Sequence, residues 1–143
     1  MPAFEILLIE DNDYDAELTL RALKEYHLSH PIIRFADGQK ALDYLFQLEI
    51  TDGAKKRCDL KLILLDLKLI GKSGKEVLTA IRSNLYTALI PVVVLTSSTL
   101  EQDIQSCYKL GANSFISKPV EFDAFVAVMK GLGLYWLTLN KTP

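Results

Sequence analysis

Short aliphatic runs alternate along this chain with longer stretches in which apolar residues return at helical spacing. The runs are Phe4–Ile9, Pro31–Phe35, Leu60–Leu65, Ile90–Leu95 and Ser114–Ile116. Three of them lack the polar alternation of a half-exposed strand, which fits parallel strands covered on both faces. Between the runs, Ala16, Leu20 and Leu23 mark a first helix, and Ala41, Leu42, Leu45 and Phe46 a second. Val77, Leu78 and Ile81 mark a third, Ile104, Cys107 and Tyr108 a fourth, and Phe122, Phe125, Val126 and Met129 a fifth. Ser73 with Glu76, and Ser98 with Glu101, read as capping boxes in which a hydroxyl and a carboxylate satisfy orphan N–H groups. Gly111 suits a left-handed cap after the fourth helix. Thr51–Asp59 reads as a polar loop before the third strand. Five β-α units in strict alternation predict an α/β fold, a doubly wound parallel sheet with helices on both faces. No repeat or linker divides it, so residues 1–143 are expected to form one domain.

Composition narrows the class. The chain has 143 residues, 50% of them hydrophobic and 24% charged, with a formal net charge of −2. That balance suits a globular domain and lacks the basic footprint of a nucleic-acid binder. No signal peptide is evident and no apolar run is read as membrane-spanning. Cys58 and Cys107 have no metal spacing and read as reduced thiols, so a cytoplasmic protein is expected.

The chemistry gathers at the strand ends. In an open doubly wound sheet, ligands bind at the carboxyl ends of the strands near the switch in strand order. Strand one ends in Glu10-Asp11, strand three in Asp66, strand four in Thr96-Ser97 and strand five in Lys118-Pro119. Carboxylates converging on one edge repel each other and need a cation; hard oxygen ligands suit Mg²⁺. A lysine and a threonine hydroxyl opposite them would hold an anion. Metal, carboxylate nucleophile, hydroxyl and ammonium together describe phosphoryl transfer.

These five positions make the chain resemble the response-regulator receiver family from Phe4 to about Met129. The resemblance implies a flavodoxin-like sheet in strand order 2-1-3-4-5, with five helices and a lengthened last helix over residues 130–143. It implies that Asp66 accepts the phosphoryl group. Asp11 would ligate Mg²⁺ directly, Glu10 through water, and the backbone carbonyl of Lys68 would complete the protein ligands. Thr96 and Lys118 would bind phosphoryl oxygens. Phe115 takes the switch-aromatic position beside Thr96, and small Ser97 leaves room for the phosphoryl group. Two positions depart from the family pattern: Ile70 stands where proline is usual, and Lys68 where asparagine or methionine is.

Rival readings exist. Asp11-Asn-Asp13 also resembles the start of a haloacid-dehalogenase-type phosphatase, whose nucleophile would be Asp11 and which would leave Asp66 without a role. A receiver-like adaptor working without phosphorylation is a third possibility. The EF-hand likeness of Asp11–Asp15 fails because Ala16 and Ala22 stand where Gly and Glu are needed. Gly71-Lys72-Ser73 lacks the earlier glycine of a P-loop. His27 and His30 read as surface residues.

No DNA-binding or enzymatic segment is read after the last helix, so the signal is expected to leave through a protein surface. The tail Gly131–Lys141, with Trp136-Leu137, resembles that of stand-alone regulators paired with bacterial and cyanobacterial phytochromes. The resemblance implies as partners a sensor histidine kinase of the phytochrome type and a downstream protein. Val128, Leu132, Tyr135 and Leu139 step by four, three and four, and predict a homodimer surface on the last helix.

Overall fold

The computed structural model describes residues 4–26, 30–52 and 60–142. Over them the chain runs β1 (Ile6–Ile9), α1 (Asp13–Tyr26), β2 (Ile32–Phe35), α2 (Gly38–Asp52) and β3 (Leu62–Leu65). It continues through α3 (Gly74–Ser83), β4 (Val92–Thr96), α4 (Glu101–Lys109), β5 (Ser114–Ser117) and α5 (Phe122–Gly133), and ends in a π-helical turn, Leu134–Leu139. All strands are parallel, in the order β2-β1-β3-β4-β5.

The unbroken aliphatic runs explain the layering. Every residue of β1, β3 and β4 is buried, and successive side chains point to opposite faces. Leu7, Ile9, Ile63, Leu65, Val92 and Val94 pack with Ala41, Leu42, Leu45, Val77, Leu78, Ile81 and Cys107 under α2, α3 and α4. Ile6, Leu8, Leu62, Leu64, Val93 and Leu95 pack with α1 and α5 through Ala16, Ala22, Leu23, Phe125 and Met129. The edge strands β2 and β5 are half-buried throughout.

Local signals mostly hold. The Ser73 hydroxyl accepts the Glu76 N–H at 3.2 Å while the Glu76 carboxylate accepts the Ser73 N–H at 3.1 Å, a complete capping box. Gly111 has φ 107°, with its N–H on the Tyr108 carbonyl and the Ala112 N–H on that of Cys107, the paired bonds of a Schellman cap. The box expected at Ser98 and Glu101 does not form. α4 starts at Glu101 after Leu100, without a side-chain cap. The Ser98 hydroxyl donates instead to Asp103 at 2.6 Å and accepts the Leu100 N–H at 3.3 Å. Thr51 and Asp52, expected in a loop, end α2; Cys58 and the rest of that loop lie outside the described residues, as does His27. His30 pairs with Glu5 rather than standing in solvent.

The last helix also differs from expectation. Phe125, Met129, Leu132 and Leu137 all reach the core, at intervals of four, three and five. An α-helix would swing a residue five positions on well away from the sheet; the wider π turn brings Leu137 back onto it. Leu132, still in α5, is buried and Val128 packs against the same core, while Tyr135 and Leu139 are exposed. The four-residue stripe read as one outer surface is split between core and solvent. Phe122–Leu139 is also long and apolar enough to cross a membrane by length and composition, against the expectation that no run is; here its inner side chains fill the layer over the sheet.

Candidate functional site

The chain passes from β1 out to β2 and then back across to β3, so β1 and β3 flank the switch in strand order. The Asp66 N–H donates to the Ile9 carbonyl at 3.0 Å, which aligns the two strand ends. Side-chain oxygens of Glu10, Asp11 and Asp66 consequently lie within 4.8 Å of one another. Glu10 and Asp66 are buried, and Asp11 is half-buried. Gly74 lets α3 start directly against the site: its N–H donates to the Leu67 carbonyl at 3.1 Å. A Cβ there would stand 2.4 Å from the Asp66 carbonyl oxygen.

Lys118 crosses from the end of β5 into this acidic pocket. Its Nζ lies 2.6 Å from Glu10 Oε1, 3.3 Å from Asp15 Oδ2 and 3.6 Å from Asp66 Oδ2. Burial alone would lower the lysine's pKa, but the hydrogen bond to Glu10 and the charges of Asp66, Glu10 and Asp15 outweigh it and hold the ammonium above its ordinary range. Glu10 is pushed up to about 7, first by burial and then by its hydrogen bond and repulsion with Asp66; Lys118 only partly offsets this. One ammonium does not balance the acid around it. Three carboxylates whose oxygens lie within 4.8 Å of one another are the donor set a small hard divalent cation fits, Mg²⁺ above all.

Thr96, fully buried at the end of β4, accepts the Ser98 N–H at 3.3 Å through its hydroxyl, and its carbonyl accepts the Lys118 N–H at 2.7 Å. Ser97 beside it is exposed. The β4–α4 loop is then fastened twice more. The Ser117 hydroxyl donates to the Ser98 carbonyl at 2.9 Å, and Lys75 of α3 donates to Asp103 at 2.9 Å. The Ser98 hydroxyl and then Lys75 hold the Asp103 carboxyl below its usual range.

The family pattern for the response regulator receiver domain matches residues 6–130. The probable methanogenesis regulatory protein FilR2 of Methanothrix harundinacea is 36% identical over 98% of this chain and 88% of its own length. Response regulator Rcp1 of Synechocystis is 35% identical over 99% of this chain and 95% of its own. A structure of Rcp1 in a Mn²⁺-bound form superposes with a TM-score of 0.84 at 34% identity, covering 99% of both chains. The phosphorylated cyanobacterial phytochrome response regulator RcpA superposes with a TM-score of 0.87 at 36% identity, also over 99% of both. The chain belongs to the response-regulator receiver family.

Within this receiver, the residues singled out from sequence divide in two. Glu10, Asp11, Asp66 and Lys118 meet at one point, and Thr96 stands at the next strand end. Phe115 is half-buried against the α2–α3–α4 core, and its N–H donates to the Tyr108 hydroxyl at 3.2 Å. Lys68 donates its N–H to Asp66 Oδ1 at 3.3 Å, but its side chain is exposed and its charge is felt at Asp103. Ile70, the other departure, projects into solvent. Three residues of the site escaped the sequence reading. Asn12 caps α1, its Oδ1 accepting the Asp15 N–H at 2.9 Å; asparagine ahead of an acidic first turn was the available signal. Asp15 shares Lys118. Arg34, a lone cation inside the apolar run of β2, reaches the end of β1.

Proposed function

We propose that this receiver accepts a phosphoryl group from a histidine kinase on Asp66 and thereby switches a surface that other proteins read. The observation that carries this is the Asp66 carboxylate, buried among Glu10, Asp11 and Lys118 yet aligned at the sheet's switch point. One Asp66 oxygen attacks phosphorus in line; the phosphorus–nitrogen bond to the kinase histidine breaks, and its electron pair returns to the imidazole. Mg²⁺ would be held by Glu10, Asp11, Asp66 and the Lys68 carbonyl. When bound, it offsets the negative charge gathered where carboxylate and phosphoryl oxygens meet. Lys118 then pairs with one phosphoryl oxygen and the Thr96 hydroxyl donates to another. Turning the Thr96 hydroxyl toward the phosphoryl group moves the oxygen that accepts the Ser98 N–H; that movement loosens the β4–α4 loop, and Phe115 repacks beside α4. The chain catalyses at most its own phosphorylation and dephosphorylation.

Likeness over nearly the whole chain to RcpA, a cyanobacterial phytochrome response regulator, supports a phytochrome-type kinase as donor. Residues 1–143 act as one receiver unit, with 130–143 extending α5. The output face is α4, β5 and the exposed part of the tail, where Tyr135 and Leu139 offer contacts to a second copy. The test is labelling by a small phosphodonor and by candidate phosphorylated kinases. Wild type should take up one base-labile phosphoryl group, and Asp66→Asn none. Continued labelling of Asp66→Asn, or many turnovers on a simple phosphoester, would overturn the assignment.

A further inference from the structure

We propose that Arg34 is a positioning residue for the cation site: it fixes the β1–α1 loop that carries Glu10 and Asp11. The inference rests on the cation-site reading above. Arg34 stands opposite Leu8 in the β1–β2 ladder, on the face covered by α1 and α5. At the end of β1 the Glu10 N–H donates to the Phe35 carbonyl at 3.0 Å. The Glu10 carbonyl lies beyond the last strand pair, and a buried carbonyl needs a donor. Arg34 supplies two: its Nε and Nη2 donate to that oxygen at 3.0 and 2.7 Å. Its remaining nitrogen, Nη1, lies 3.0 Å from Asp13 Oδ1 in the first turn of α1. One planar fork thus ties the edge strand, the end of β1 and the start of α1. Asp11 sits inside the span so fixed, and the Asn12 N–H reaches back to Glu10 Oε2 at 3.3 Å.

The charge and the shape of this side chain act in opposite senses on a bound cation. A guanidinium close to the carboxylates repels Mg²⁺, so if its charge dominated, removing it would tighten binding. If the fork dominates, removing it lets the loop wander and loosens binding. Lysine separates the two, because it keeps the charge and cannot form the planar fork.

Calorimetric Mg²⁺ titration of wild type, Arg34→Gln and Arg34→Lys tests this, with urea unfolding of each metal-free protein alongside. Both variants should bind Mg²⁺ roughly tenfold more weakly, the scale on which outer-shell partners act. Phosphorylation of both by a small phosphodonor should return to the wild-type rate once Mg²⁺ is saturating. Wild-type affinity in Arg34→Lys, or tighter binding in Arg34→Gln, would overturn the proposal, as would a rate that saturating Mg²⁺ fails to restore. Should Arg34→Gln be too unstable to titrate, Arg34→Lys alone decides. Absence of Mg²⁺ binding in wild type would instead sink the cation site itself, and the role of Arg34 with it.

Discussion

Charging Glu10 is costly in this fold, since it is buried beside Asp66 and its pKa is pushed up to about 7 from 4.5. Between those values an unfolded chain has already lost the proton that the folded one keeps. Rising pH across that window therefore drains stability from the metal-free protein, and the loss levels off above about 7. Lys118 has its own window, far higher: its raised pKa adds stability that is full below the ordinary lysine range and lost only in strong alkali. Urea unfolding of metal-free protein should show the decline toward pH 7, and saturating Mg²⁺ should abolish it. Mg²⁺ affinity should fall as pH drops through 7; a pH-independent affinity would show that Glu10 is not part of the site. The ammonium set to compete with Mg²⁺ in the proposed site is that of Lys118, 2.6 Å from Glu10. Lys118→Met should bind Mg²⁺ more tightly than wild type while losing the conformational response to beryllofluoride.

At the scale of elements, the start of α3 sets the position of Asp66. A Cβ on Gly74 would press within 2.4 Å of the Asp66 carbonyl and 2.6 Å of the Leu67 Cα, both backbone. Gly74→Ala should cost about 1–3 kcal/mol in urea unfolding and slow phosphorylation of Asp66; wild-type values for both would mean that α3 shifts freely. The strands and their ends were legible because each signal is local: an aliphatic run, then a polar residue at its close. The box at Ser73 was legible for the same reason. The start of α4 was not, because the Ser98 hydroxyl goes to Asp103, which is itself held by Lys75 from another helix. Arg34 was hidden likewise, since its partners at Glu10 and Asp13 lie across the fold. Lys75 and Asp103 stand 28 residues apart, and Arg34 and Glu10 stand 24 apart.

Across the whole molecule, the tail shows where periodicity misleads. Leu132 steps by four from Val128 toward an outer stripe, yet it also steps by three from Met129 and is buried with it, and the π turn re-aims the side chains from Leu134 to Leu139. Tyr135 and Leu139, with Leu134, remain exposed and carry the proposed contact between copies. Sedimentation of wild type should show a dimer that tightens with beryllofluoride. Tyr135→Glu/Leu139→Glu should be monomeric and as stable as wild type, because neither side chain belongs to the core. A wild type monomeric at high concentration in both states would remove the dimer. Trp136, the one tryptophan, lies 4.9 Å edge-on from the Tyr135 ring, so its emission reports directly on that surface.

Phosphoryl transfer to this site should leave an acyl phosphate on Asp66. Borohydride reduces an aspartyl phosphate to homoserine and leaves free aspartate untouched, so it marks the acceptor in the native protein without any substitution. Wild type phosphorylated by a small phosphodonor in Mg²⁺, reduced and read by peptide sequencing in a mass spectrometer, should carry homoserine at position 66. Homoserine at position 11, or at no aspartate, would mean that Asp66 is not the acceptor.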